Sequence, residues 1–140
     1  MVAKLVTWSV TLAAVAALSL VGRSGQGPAA EPGESLERML VAMGNREYED
    51  ACRLTAQDGA PVEDGAALTD CVATMRVYAE GLRPESVQGL RQVSVPDVTA
   101  TGSQVEIPGG RIPGVSQPFA DGSFVLVRID DRWYVVVATS

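Results

Sequence analysis

Apolar residues recur at helical spacing through the first half of the folded region and at alternating spacing through the second. Leu36, Met39, Leu40 and Met43 fall at i, i+3, i+4 and i+7, which predicts a short amphipathic helix with Ser35 as its N-cap and Gly44-Asn45 as its stop. Asn45 can cap a second helix. Its first turn carries Glu47, Glu49 and Asp50 at the positive end of the dipole, and its inward stripe runs Tyr48, Ala51, Cys52 and Thr55 as far as Asp58-Gly59. Asp64 can cap a third helix. The stripe Leu68, Cys71, Val72, Met75, Tyr78, Ala79 and Leu82 is the clearest helical period in the chain.

From Val87 onward β-branched residues rise and Gly and Pro interrupt the runs. LRQVSVPDVTA (90–100) and SQVEIP (103–108) read as two strands about Thr101-Gly102, with Pro96 placing the first at an edge or a bulge. The Gly/Pro-rich stretch from Gly109 to Gly122 reads as a loop. SFVLVRI (123–129) and RWYVVVA (132–138) then form a hairpin about Asp130-Asp131, since aspartate tolerates left-handed backbone. The plan is α+β: three helices packed on one face of a curved antiparallel sheet of about four strands, within a single domain spanning 35–140.

The amino-terminal pattern is different in kind. Residues 1–22 hold a short basic start at Lys4 and then an uncharged run from Leu5 to Gly22. As a helix that run would be about 27 Å long, against a hydrocarbon core of about 30 Å. It is expected to be a signal peptide or a single membrane anchor, with residues 5–22 the only part to touch a membrane. Residues 23–34, with Gly25, Gly27, Pro28, Pro32 and Gly33, read as a flexible linker. The body would then be extracytoplasmic, either secreted or anchored to the cytoplasmic membrane.

Charge and composition narrow the chemistry. All 17 acidic residues lie at or beyond Glu31, while Lys4 and Arg23 precede it. The remaining nine basic residues, all arginine, leave the body at −8. That sign repels phosphate backbones, and nucleic acid is not an expected partner. The chain has no histidine, so the commonest metal ligand and the base of most nucleophilic triads are missing; no metal site, cofactor or catalytic residue is assigned. Cys52 and Cys71, the only cysteines, lie on inward stripes of consecutive helices and behind an export signal, which favours a disulfide between them over two buried thiols. Their spacing fits neither a redox C-x-x-C nor a zinc site.

The order of these segments, with GNREYEDACRL (44–54), then ALTDCVATMRVYAEGL (67–82), then strands closing on IDDRWYVV (129–136), resembles the small secreted or membrane-anchored NTF2-like (cystatin-like, cone-shaped) domains of actinobacteria. The resemblance covers about Ser35 to Ser140, and the Gly109–Gly122 loop departs from it most. It implies a conical pocket between the long helix and the sheet. Tyr48, Tyr78, Trp133 and Tyr134 are the aromatics that could line such a pocket; packing at the core or its rim is their alternative role. The expected function is that of an exported, non-catalytic domain binding a small apolar ligand or a cell-envelope protein. Its competitor is a small cone-pocket enzyme of isomerase or dehydratase type, using a carboxylate and a tyrosine.

Overall fold

The computed structural model describes residues 27–136. Four helices and a five-stranded sheet occur in the order α1 (Pro32–Gly44), α2 (Tyr48–Cys52), β1 (Thr55–Gln57), β2 (Ala60–Pro61), α3 (Gly65–Glu80), α4 (Pro84–Leu90), β3 (Gln104–Pro108), β4 (Ser123–Ile129) and β5 (Arg132–Val136). The sheet order is β2-β1-β5-β4-β3. It is mixed rather than wholly antiparallel, because β1 runs parallel to β5, pairing Thr55 with Val135 and Ala56 with Val136. The α+β class stands; the expected three helices and about four strands become four and five. The apolar run 5–22 lies outside the described residues, and among those described no helix is long and apolar enough to cross a membrane.

The first helix begins three residues before the expected cap. Pro32 occupies its first turn, where a missing N–H costs nothing and the fixed φ suits a helix. Ser35 therefore lies inside the helix, fully buried, and its hydroxyl accepts the Ala29 N–H at 2.8 Å. The Ala29 carbonyl in turn accepts the Trp133 N–H at 3.0 Å. Residues 29–34 are thus held against the body, and the expected linker 23–34 is not a tether over that stretch.

At its other end α1 closes with a Schellman motif. The Arg46 N–H donates to Met43 O at 3.1 Å, the Glu47 N–H donates to Ala42 O at 2.8 Å, and Arg46 takes a left-handed φ of 64°. Glycine is the usual residue there, and a side chain in that backbone state costs about 1–2 kcal/mol. Gly44 has its own constraint: a Cβ would stand 2.9 Å from both the Arg91 N and the Leu90 Cβ, so α4 docks on the end of α1 through a missing side chain.

The second helix stops at Cys52 rather than running to Asp58. Thr55 turns its hydroxyl onto Cys52 O at 2.6 Å and starts β1. Asp58 and Gly59, at φ 53° and 80°, form the tip of a β1–β2 hairpin, a D-G signal that the helical reading of the stripe concealed. The expected strand 90–100 does not form: Leu90 ends a helix, 91–92 are a turn, and 93–100 join no sheet, with the Ser94 N–H donating to Pro113 O at 3.4 Å. Val93 and Val95 are buried in alternation with exposed Ser94 and Pro96, and the Val95 N–H donates to the Glu37 carboxylate at 2.9 Å rather than to a ladder. Residues 84–90 just before it are helix α4, opened by Pro84. The hairpin at Asp130-Asp131 forms as expected, with φ 51° and 63° and Leu126 opposite Val135.

The core lies between α1 and one face of the sheet. Leu36, Met39, Leu40 and Met43 pack with Ile107, Leu126, Trp133 and Val135, all essentially out of water. The long helix α3 is different. Only Ala79 is fully buried on it, Cys71, Val72 and Met75 are half-covered, and Val77 and Tyr78 are 72% and 46% exposed. What ties it down is Cys52–Cys71, whose Sγ atoms are 2.13 Å apart, with Cα atoms separated by 6.0 Å.

Candidate functional site

The four aromatics do not converge. Tyr48 is buried at the head of α2 beside a cleft, Tyr78 lines a broad shallow groove, and Tyr134 lines a small hollow of about 200 Å³. Trp133 is a core residue, 3% exposed. Packing explains the separation: Trp133 and Tyr134 are neighbours on one strand and project to opposite faces of the sheet.

The groove beside Tyr78 is the larger, at about 1250 Å³, and mixes Arg83 with Glu85 and Asp121; the cleft beside Tyr48, about 700 Å³ in volume, is the one that gathers arginines, and it is walled by the end of α1, by α2, by the last turns of α3 and by α4. Three arginines reach it. Arg46 is placed by the left-handed turn that ends α1, and Arg76 lies on α3 with its guanidinium carbon 5.8 Å from the centre of the Tyr48 ring, within the range of a cation–π contact. Arg91 follows α4, and its Nε donates to Gly44 O at 2.8 Å. This one bond fixes the base of the guanidinium and leaves its two terminal nitrogens without an acceptor among the described residues. Glu80 is the single carboxylate in the lining. The described ion pairs, Arg38 with Glu34 and Arg53 with Glu49 and Asp50, all lie elsewhere. The rest of the lining is the Gln88 amide with the apolar Ala79, Leu82, Pro84 and Val87.

The chain matches no family model, no curated protein and no solved structure. Its site is therefore read from its own geometry.

Among the described residues no group of three His, Cys, Asp or Glu side chains could hold a metal ion. Tyr134 shares its hollow with Glu63. Its phenol is pushed above the usual tyrosine range, first by burial and then by the negative charges of Glu63 and Asp130, with Arg132 opposing them. A phenol shifted that way stays protonated in neutral solution and can donate a hydrogen bond, not remove a proton. The arginines of the cleft escape a sequence reading because they are spread over three elements. Arg91 is the hardest to foresee, since it falls inside the stretch that alternation marks as a strand.

Proposed function

We propose that this is an exported, non-catalytic binding domain whose ligand site is the cleft between α2, α3 and α4. The observation that carries the reading is the cleft itself. Its volume lies within the range of small-molecule sites, and it combines an apolar wall with a few convergent polar groups supplied by different elements. Export rests on the uncharged run 5–22 and on the cysteine pair, which persists in an oxidising compartment. The likeness to the cone-shaped NTF2-like domains is kept as part of the proposal. It is supported by the succession of two helices, a short hairpin, a long helix and a closing set of strands. Native mass spectrometry of the exported protein tests the reading. A small molecule should be retained on the wild type and lost when Gln88→Trp, at an exposed position of the lining, fills the cleft; identical spectra for the two proteins would refute it.

An enzymatic role has one foothold here, since Glu80 and Tyr48 line the same cleft. The two readings separate on Glu80→Gln. Binding alone predicts an unchanged or tighter complex, because a negative charge leaves a site rich in arginine, whereas acid–base chemistry predicts loss of turnover with the ligand still bound.

A further inference from the structure

We infer that the ligand of the cleft is an amphiphilic anion, a dissolved molecule with one oxyanion group and an apolar body, held by Arg46, Arg76 and Arg91. The inference rests on the proposed binding role and adds to it the chemical class of the ligand. On a body in which acidic residues outnumber arginines 17 to nine, chance would ring a hollow with carboxylates. This hollow is lined by three arginines and one glutamate. None of the three has a carboxylate within 4.0 Å among the described residues, a state they share with Arg83, Arg111, Arg128 and Arg132, whereas Arg38 and Arg53 are paired; what sets the three apart is that they line one hollow. Guanidinium groups that converge on a concave site without an internal counter-ion suit an external oxyanion, which their planar forks bind through paired hydrogen bonds.

Two local features point the same way. Arg46 occupies the left-handed position of a Schellman motif, where glycine would serve the fold better. Its side chain is therefore explained by what it faces rather than by the turn it makes. Arg91 is anchored through Nε alone, which orders the guanidinium in advance and keeps its outer edge for a ligand. The apolar share of the wall, from Ala79, Leu82 and Val87 with the ring of Tyr48 beneath Arg76, gives the rest of the molecule a surface to leave water on. Because the walls come from four elements around a hollow, the site suits a dissolved molecule rather than a flat membrane.

The test uses the exported protein with its disulfide intact and two fluorescent probes of the same ring system: 8-anilinonaphthalene-1-sulfonate, and its uncharged counterpart N-phenyl-1-naphthylamine. The sulfonate should bind more tightly. Arg76→Gln and Arg91→Gln should each weaken it about tenfold or more, the usual loss for a hydrogen bond to a charged group, with little change for the neutral probe. Arg46→Gly should weaken the sulfonate without lowering the melting temperature, which separates loss of the site from loss of the fold. The double variant Arg128→Gln/Arg132→Gln alters net charge away from the cleft and should leave both probes unaffected. Equal binding of the two probes, insensitive to the cleft variants, would overturn the anion and leave the binding role standing. Failure of both probes to bind the wild type would overturn the two together. Co-sedimentation with phosphatidylglycerol vesicles, abolished by the same cleft variants, would overturn a dissolved ligand in favour of a membrane headgroup.

Discussion

Helices α1 and α3 both carry apolar stripes, α1 being the more strongly amphipathic of the two, and the molecule treats them differently. In α1 every stripe residue is buried, from Leu36 to Met43, against the sheet face that holds Leu126, Trp133 and Val135. In α3 the stripe is longer but half-covered, and a disulfide rather than a sheet holds it in place. The contrast teaches that periodicity reports which side of a helix is apolar and says nothing of what covers it. One face makes the core, and the other, with α2 and α4, makes the wall of a cleft.

The largest effects are expected in the first region. Leu40→Ala, at a fully buried position, should cost roughly 2–5 kcal/mol, and Trp133→Asp should prevent folding, because it buries an unpaired charge. Val77→Ala on α3, at 72% exposure, should change stability by less than about 0.5 kcal/mol. Chemical denaturation measures all three. If Leu40→Ala were as mild as Val77→Ala, the division between core helix and wall helix would fail.

Next comes the staple. Reduction of Cys52–Cys71 should lower stability by roughly 2–5 kcal/mol, and hydrogen exchange should show the amides of α3 losing protection while those of α1 keep theirs. The denatured, unreduced protein should expose no thiol to reagent and two equivalents after reduction. Uniform loss of protection across both helices would mean that α3 is as much core as α1.

How far the residues themselves announced this arrangement depends on how local each signal was. The Asp130-Asp131 hairpin was legible because turn chemistry determines it, and the cysteine pairing because periodicity turns Cys52 and Cys71 inward behind an apolar leader; α3 starts after Asp64 as expected, although that side chain makes no capping hydrogen bond. The β1–β2 hairpin was hidden by its brevity, since Thr55 continues the helical stripe of Tyr48 and Cys52 while its hydroxyl in fact closes that helix. Helix α4 was missed because Val93 and Val95 just beyond it alternate as a strand would. With α4 unseen, Arg91 could not be placed beside Gly44, and the cleft could not be assembled from sequence.

Two smaller effects sharpen the comparison. Arg46→Gly exchanges a left-handed strain of about 1–2 kcal/mol for the extra chain entropy of glycine, about 0.5–1 kcal/mol. Stability should hold or rise by up to about 1.5 kcal/mol, and a clear fall would show that Arg46 serves the fold. The smallest effect belongs to Tyr134. Its folded pKa is raised by burial and by Glu63 and Asp130, so the folded state holds this proton more tightly than the unfolded chain. The associated stability is complete below about pH 10, the ordinary tyrosine value, and is lost as pH rises from there through the folded pKa. Tyr134→Phe should flatten the alkaline end of the stability curve and leave neutral pH unchanged; an unaltered alkaline slope would place the sensitivity elsewhere.

The central claim is that the cleft walled by α2, α3 and α4 is the place where this protein meets its ligand. Residue-resolved NMR of the labelled protein titrated with 8-anilinonaphthalene-1-sulfonate tests it most directly. The account predicts that shifts concentrate at Arg46, Tyr48, Arg76, Ala79, Gln88 and Arg91. Shifts centred instead on the exposed Val77–Tyr78 edge of α3, or on the sheet face carrying Val125, Val127 and Tyr134, with the cleft silent, would contradict it.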